Sequence, residues 1–354
     1  MTIKYNIERN PLLTHSYTDE EGVEVTTTFL CIGDPHFGKR FITGVPKHRV
    51  GERENNILAE FKRLIKYKAD YIIIMGDLFD KFIVSPTVIN TVYEALSDVT
   101  TTPIYIIPGN HDLSKDTTKT SSFTLFSKLV NSTLTNVKVI EKSELVQVNC
   151  MLYLYLDAYN PFSNKSLVPY DDISTINNKQ CGCEVISFGH WDSMDLTDNG
   201  WMPSDELLLL SDLLISGHEH SYKEYTYPTD STNTKVLFTG SMQPYSHAED
   251  PDNDIYVTIN YEDIGEYNLT TDFKYKCLRI LCKSYFVHEE PIDCYSLTCK
   301  IVLPDDIEDS LSTNTEIDVE NYLDTIKDWV KDNEDFDDTF KNKINQLIEE
   351  KSYL

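Results

Sequence analysis

The chain has 354 residues, of which 40% are hydrophobic and 25% charged, so it can bury a substantial core and favours about two domains. No stretch is long and apolar enough to span a bilayer, and the N-terminus lacks the apolar run of a signal peptide, so we expect no membrane partner and a cytoplasmic location. A formal charge of −27 argues against general polyanion binding, and eight scattered cysteines without a CxxC pair indicate reduced thiols rather than a disulfide framework.

Short apolar runs rich in Val, Ile and Tyr predict buried strands before residue 245. Between the first two runs, the segment ENNILAEFKRLIKYK places apolar residues on one helical face, and TVINTVYEALSDV repeats this pattern before the third run. Strand, helix and strand in this order predict parallel crossover units and a layered α/β domain. The strand candidates are TTTFLCIGD, DYIIIMGD, TPIYIIPGN, CEVISFGH, DLLISGHEH and KVLFTGSM.

Five of the six strand candidates end in Asp, Asn or His directly after the apolar residues. The carboxyl ends of strands in open α/β sheets border the ligand crevice, so these side chains are candidates for one shared site. Carboxylates, an amide oxygen and imidazoles suit Mn, Fe or Zn, and two adjoining ions of this kind can drive phosphoryl displacement. The candidates are Asp34 and His36 in GDPHFG, Asp77 and Asp80 in GDLFD, Asn110, His111 and Asp112 in GNHD, His190 in GHWD, and His218 and His220 in GHEH.

Each motif alone is a weak indication, because a D-x-H or an H-E-H segment is most often a surface turn. On a strand end, residues i and i+2 point the same way, so His218 and His220 would face the site while Glu219 points elsewhere. For this reason Glu219 is not assigned as a base. Five of the nine histidines fall in these motifs, each at a predicted strand end, and this favours a metal site.

Over residues 29–244 the sequence resembles the calcineurin-like metallophosphoesterase superfamily, which has the same motifs in the same order. These motifs are D-x-H, G-D, G-N-H-D, a lone His and G-H-x-H. The resemblance implies a layered β-sandwich flanked by helices, with a smaller α+β capping domain and C-terminal helices. It also implies roles for the candidate residues. One metal would be held by Asp34, His36 and His220, the other by Asn110, His190 and His218, and Asp77 would bridge the two. His111 would protonate the leaving alkoxide or orient the phosphate. Asp112 would fix His111 or a ligand.

Within the superfamily, the motifs depart from the serine/threonine phosphatase branch, which carries Arg-Gly after GDxxD and usually ends its third motif in Glu. GDLFD, IPGNHD, GHEH and FTGSMQPYS instead resemble the SbcD-type nuclease subunit of the SbcCD DNA-repair complex, and phage-encoded recombination nucleases are similar. This resemblance implies a manganese-dependent DNA exonuclease and endonuclease that works with an SbcC-like coiled-coil ATPase subunit and forms a homodimer, in the host cytoplasm if it is phage-encoded. The sequence departs from some of these relatives at Asp80, where they have His. If that His aids exonucleolytic cleavage in the relatives, the mechanism here would differ in that detail.

A basic stretch follows the first ligand pair, with nine Lys or Arg against three Glu in residues 39–68. These charges would either contact DNA phosphates near the metals or belong to an ordinary solvated loop, and the sequence leaves both interpretations open. The candidates for DNA contact are Lys39, Arg40, Lys47, Arg49 and Arg53.

The C-terminal region is acidic, with sixteen acids against five lysines from residue 301 onward. Apolar residues there recur at helical spacing, which fits either docking on a coiled-coil ATPase or packing on the chain's own core, and the family resemblance favours docking. We therefore predict an N-terminal extension (1–25), a nuclease domain (26–250), a capping domain (251–303) and a docking tail (304–354). The docking candidates are Tyr322, Leu323, Ile326, Trp329 and Val330.

Two other functions compete with a nuclease subunit. A stand-alone phosphodiesterase or phosphatase acting on nucleotides or phosphoproteins would use the same ligands, and only the basic stretch and the helical tail argue against it. A non-catalytic scaffold is disfavoured, because a scaffold has no need of a complete ligand set. As cofactors we expect two divalent metal ions, with manganese favoured and iron or zinc also suited to these donors.

Overall fold

The computed structural model describes residues 2–116, 118–169, 182–193, 200–228, 233–283 and 292–302. By its packing the chain divides into two compact units, residues 1–280 with 288–298 and residues 281–287 with 299–354. Only residues 281–283 and 299–302 of the second unit are described. The predicted docking tail and its five candidate residues therefore lie outside the described residues, and the predicted domain boundaries stay predictions.

The first of two six-stranded sheets lies in the first unit and combines antiparallel edge strands with a parallel core. Strands β1 and β2, from the predicted N-terminal extension, pair antiparallel with each other and with β3, and β3 to β6 pair in parallel. The strand order follows the sequence: β1 (Thr2–Lys4), β2 (Leu12–Thr18), β3 (Glu24–Ile32), β4 (Tyr71–Ile74), β5 (Ile104–Ile106) and β6 (Val137–Val139).

The second six-stranded sheet is also parallel at its centre, and it is flanked by two antiparallel edge strands. Its strand order is β11-β12-β10-β9-β8-β7, and a separate three-stranded sheet has the order β13-β14-β15. The bounds are β7 (Glu144–Gln147), β8 (Leu152–Leu156), β9 (Glu184–Gly189), β10 (Leu213–Ser216), β11 (Tyr222–Pro228), β12 (Asn233–Thr239), β13 (Tyr256–Asn260), β14 (Cys277–Cys282) and β15 (Ser296–Ile301).

The α-helices of the described residues begin where local chemistry favours a helix start. A serine precedes three of them, and its hydroxyl accepts a hydrogen bond from a backbone N–H of the first turn, which offsets the unpaired donors there. None of the described helices is long and apolar enough to cross a membrane. The helices are α1 (Glu52–Leu64), α2 (Pro86–Ser97), α3 (Ser122–Thr133) and α4 (Asp205–Leu210), with 3₁₀ turns at Lys47–Arg49, His247–Glu249 and Tyr261–Glu266.

The alternation of side chains along the strands builds the layers. On β3, Phe29 and Cys31 point into a core shared with the second sheet, whereas Leu30 and Ile32 point to the other side, where Phe61 of α1 packs. The outer face of the second sheet carries a third apolar cluster that includes residues of α4. The predicted α/β sandwich flanked by helices is thereby confirmed, and none of the described cysteines forms a disulfide.

We predict that Phe29→Ala lowers the free energy of unfolding by about 3–5 kcal/mol, because it leaves a cavity between the two sheets. Phe29 is fully buried and stacks on Tyr71 with 5.3 Å between ring centroids. Urea unfolding followed by circular dichroism measures the change. Phe162→Ala is the matched control, since Phe162 is 64% exposed and its loss should change the free energy by less than about 0.5 kcal/mol. Equal effects of the two substitutions would contradict this packing.

Candidate metal centre

The predicted ligands follow five parallel strands, and the structure brings the carboxyl ends of those strands together. Asp34 and His36 follow β3, Asp77 follows β4, and Asn110 follows β5 in the first sheet. In the second sheet His190 follows β9, and His218 and His220 follow β10. The two sheets therefore contribute to one centre from opposite sides.

Three of these residues have left-handed backbone conformations. The φ angles are 47° for His36, 45° for Asp77 and 73° for His218. Such conformations cost roughly 1–3 kcal/mol each for residues other than glycine and persist only where the surrounding structure imposes them. Their concentration at the predicted ligands indicates that the turns are shaped for the site.

A glycine permits the close approach of two of these turns. A Cβ on Gly109, the residue before Asn110, would overlap the Asp77 carboxylate and its backbone nitrogen. The glycine of the GNHD motif thus allows the turn after β5 to lie directly against the turn after β4.

The first group of ligand atoms comes from Asp34, His36 and His220. The Nε2 atoms of His36 and His220 are 3.0 Å apart, and Asp34 Oδ2 lies 3.8 Å from His220 Nε2. Burial lowers the pKa of His36 to about 3, so its imidazole is neutral at neutral pH and one ring nitrogen keeps a lone pair for a ligand bond. These three residues match one predicted set of ligands.

The second group is centred on the side-chain oxygen of Asn110. His190 Nε2 lies 2.9 Å from Asn110 Oδ1, and His218 Nδ1 lies 3.1 Å from the same oxygen. Asp77 lies between the groups, with Oδ1 3.5 Å from His190 Nε2 and Oδ2 3.8 Å from His36 Nε2. One carboxylate oxygen of Asp77 therefore faces each group, as the predicted bridging role requires.

The donor set fits divalent cations. Ligand-type atoms of Asp34, Asp77 and His190 all lie within 4.8 Å of one another, and those of Asp34, His36 and His220 form a second such cluster. Burial raises the pKa of the Asp34 carboxyl, and the Asp77 carboxylate raises it further. A divalent cation between these groups would offset both effects and keep the carboxylates ionised. The carboxylate, amide and imidazole donors are those of manganese, iron and zinc sites.

His111 and Asp112, which the sequence predicts for catalysis, differ in their positions. His111 is half exposed, its Nε2 lies 3.9 Å from Asp77 Oδ2, and its Nδ1 lies 2.6 Å from the Asp80 carbonyl oxygen. Asp112 is buried and accepts hydrogen bonds from the backbone N–H groups of Leu78, Phe79 and Gly109. Asp112 thus fixes the turns that carry Asp77 and Asn110, while His111 borders the open side of the centre.

Carboxylates that the sequence reasoning missed support both histidines of GHEH. Asp192 contacts His218 Nε2, and Glu249 Oε1 lies 3.3 Å from His220 Nδ1. In each ring the nitrogen facing away from the site has a carboxylate partner, which fixes the ring orientation and leaves the other nitrogen for a metal. Asp192 follows the predicted ligand His190 by two residues in GHWD, so the sequence already placed it near the candidate site. Glu249 lies too far along the chain to be recognised.

The N-terminal segment also supports the centre. Arg9 Nη1 donates to the Ser241 carbonyl at 2.7 Å and to the His220 carbonyl at 3.3 Å, and its Nη2 donates to the Glu249 carbonyl at 2.6 Å. The Gly33 N–H donates to Asn10 Oδ1 at 3.0 Å. Residues between β1 and β2 therefore hold the turns of Asp34 and His220, a role that sequence reasoning did not predict.

The five basic candidates for DNA contact occupy two kinds of environment. Lys47 is exposed, the Arg40 side chain is 67% exposed, and Lys39 lies at the edge of the centre with Nζ 3.6 Å from Asp80 Oδ1. Arg49 and Arg53 are buried instead. Arg49 pairs with Glu52 and Asp293, and Arg53 donates to Gln243 and to the Pro244 carbonyl.

The chain is similar to several known proteins. The family model described as calcineurin-like phosphoesterase matches residues 27–243, which include every predicted ligand. A DNA double-strand break repair protein Mre11 from Methanococcus maripaludis is 31% identical over 112 residues, and the match covers 30% of this chain and 28% of that protein's length. A crystal structure of a hypothetical protein from Thermus thermophilus has 14% identity and a TM-score of 0.31 over 60% of this chain and 75% of that one.

We predict that Asp192→Asn weakens Mn²⁺ binding by about tenfold or more, because the neutral amide no longer supports the His218 ring through a charged hydrogen bond. Isothermal titration with Mn²⁺ measures the change. Asp205→Asn is the matched control, since the Asp205 side chain is 77% exposed and its removal should leave the affinity unchanged. An unaltered affinity in the Asp192 variant would show that the contact with His218 does not serve metal binding.

Proposed function

Because the chain belongs to the calcineurin-like phosphoesterase family, we propose that it is a two-metal phosphodiesterase that cleaves DNA. The observation that carries the proposal is the convergence of seven ligand-type side chains from five strand ends, with Asp34 and Asp77 buried among them. In this proposal Asp34, His36 and His220 hold one ion, Asn110, His190 and His218 hold the other, and Asp77 bridges them. Manganese is the favoured metal.

The ions would supply an activated water and stabilise the charge that develops on the phosphate during in-line displacement. The protein's own residues would do the rest. A hydrogen bond from the His111 Nδ1–H to the Asp80 carbonyl would direct Nε2 towards the centre. In the imidazolium form, the Nε2 proton would pass to the leaving oxygen and leave a neutral ring that keeps its Nδ1 proton. Lys39, at the edge of the centre, adds a positive charge for the non-bridging phosphate oxygens.

Two observations favour DNA as the substrate. The Mre11 relative is named as a DNA double-strand break repair protein, although the match covers only a small part of it. Lys39, Arg40 and Lys47 also lie close to the first ligand pair in sequence and are at least partly exposed, so they are available to phosphates of a bound strand. Arg49 and Arg53 would act indirectly, by holding the segment that carries these residues.

The proposed cellular role is that of a nuclease subunit in an SbcCD-like complex that processes DNA ends. Such a subunit would work with an SbcC-like coiled-coil ATPase and form a homodimer within the complex. The support for this role is the motif resemblance and the partial Mre11 match. A stand-alone phosphodiesterase is the alternative that the following experiment separates from it.

We predict Mn²⁺-dependent cleavage of linear duplex or single-stranded DNA, with Asp77→Asn reducing the rate by at least about 100-fold and lowering the bound metal, since a bridging ligand is lost. His111→Asn should reduce the rate by about 10²–10⁴-fold while metal content is retained. Gel assays and elemental analysis measure the two properties. Asp98→Asn is the control, because the Asp98 side chain is 60% exposed and distant in sequence from the ligand turns.

The same assays with bis(4-nitrophenyl) phosphate separate the competing functions. Hydrolysis of this ester without cleavage of any DNA, alone or with an SbcC-like ATPase, would replace the nuclease proposal by a stand-alone phosphodiesterase. Absence of hydrolysis of both substrates in protein that binds Mn²⁺ would contradict phosphodiesterase activity altogether.

A further inference from the structure

A second pocket adjoins the metal centre and has an unusual charge. It has a volume of about 260 Å³ and is lined by the segment 39–45 and by residues of the three-stranded sheet, all within the first compact unit. Among the described residues its lining contains no Asp or Glu, although the whole chain has 58 acids against 31 Lys and Arg. The cationic lining residues are Lys39, Arg40, Arg53 and Arg279.

The positive charge of this pocket is only partly neutralised. Lys39 Nζ lies 3.6 Å from Asp80 and Arg40 Nε lies 3.3 Å from Glu54, whereas within the described part of the chain Arg53 and Arg279 form no ion pair. Burial, followed by the charge of Arg279, lowers the pKa of the lining residue His247 to about 4, so its imidazole is neutral at neutral pH. The Arg53 guanidinium is buried and already donates to Gln243 and to the Pro244 carbonyl, so an anion of suitable size would meet the uncompensated guanidinium of Arg279 here.

Aromatic rings accompany these charges. Phe41, Tyr245, Tyr256 and Tyr295 line the pocket, together with hydroxyls of Ser246, Ser296 and Thr298. Lys39 Nζ lies 5.3 Å from the centroid of the Tyr245 ring. Tyr245, Tyr256 and Tyr295 are each 7% exposed and form the walls, whereas Phe41 is half-buried and offers ring edge to the pocket. Cations beside aromatic rings are typical of surfaces that bind single-stranded nucleic acid, because cations pair with phosphates and rings contact bases.

Tyr245 connects the pocket with the metal centre. Its hydroxyl donates to the Pro35 carbonyl at 2.6 Å, and its ring packs edge-on against His36 at 5.4 Å and His220 at 5.8 Å between centroids. Phe41, whose ring stacks on Tyr245 with 6.3 Å between centroids, also lines the pocket, and Lys39 borders both sites. The Tyr245 ring therefore lies between the pocket and the two histidines of the candidate metal centre.

We propose that this pocket, defined by Lys39, Arg40, Arg279, Phe41 and Tyr245, binds the phosphate and base of the nucleotide next to the cleaved bond in a single DNA strand. The inference rests on the proposed function and deepens it. It explains how a centre whose ligands suit any phosphoester would prefer a polynucleotide to a small ester with one phosphate.

The test compares a thymidine decanucleotide with bis(4-nitrophenyl) phosphate in the full-length Mn²⁺-loaded protein. Arg279→Gln should lower the ratio of kcat/KM for the decanucleotide to kcat/KM for the ester by about tenfold, since one charged contact with a phosphate is lost. Fluorescence anisotropy gives the association constant of the same oligonucleotide at several salt concentrations. The slope of its logarithm against log salt concentration should become less negative by about 0.7. Arg279→Lys should restore most of both values.

Lys68→Gln is the matched control, because it removes the same charge at an exposed position outside the pocket and should leave the ratio and the salt slope unchanged. Arg40→Gln is a second pocket variant whose exposed side chain can be shortened without loss of core packing, and it should act like Arg279→Gln. Wild-type values of both quantities in both pocket variants would overturn the inference. Wild-type protein that binds the decanucleotide but hydrolyses only the ester would contradict the nuclease proposal, while the salt slopes would still decide on the pocket.

Discussion

The metal centre depends on the burial of two carboxylates of like charge close to each other. Ligand-type atoms of Asp34 and Asp77 lie within 4.8 Å of each other and of His190, and at an effective dielectric constant of about 20 two such charges repel by at least about 3 kcal/mol. Both carboxylates stay ionised only where a stronger attraction compensates, and divalent cations would supply it. The left-handed turns, the glycines between them and the carboxylates behind the histidines all serve to bring these charges together and hold their partners in place.

The convergence of these side chains could be predicted from sequence because each belongs to a short motif that follows an apolar strand. Asp34, Asp77 and Asn110 stand at fixed offsets from the ends of β3, β4 and β5, so local pattern and the geometry of parallel strands were sufficient. The layered α/β fold could be predicted for the same reason, since its strands are continuous apolar runs and its helices have one apolar face. The helix bounds were less accurate, because tertiary packing rather than periodicity decides where a helix ends.

The supporting residues could not be predicted, because their partners are distant in sequence. Glu249 supports His220 through a contact between the turn after β10 and the 3₁₀ turn at His247–Glu249, which exists only in the folded chain. Arg49 looked like a free cation in a basic stretch, yet it pairs with Asp293 near the other end of the described chain. Charge counted along the sequence does not distinguish a cation used inside the protein from one offered to a ligand. For the same reason the pocket of Arg279 could not be predicted. Its positive charge comes from residues that lie more than two hundred positions apart in the sequence.

The hydrogen bonds of Arg9 and Asn10 affect where a truncated form of this protein can begin. Similarity to the family begins at residue 27, after β1 and β2, and a fragment designed from that boundary would look complete because it retains every predicted ligand. It would nevertheless lack the guanidinium that joins the His220 turn to Ser241 and Glu249, and the amide that holds Gly33 beside Asp34. Sequence similarity spans every predicted ligand, whereas the hydrogen bonds that hold two of the ligand turns come from residues further towards the N-terminus.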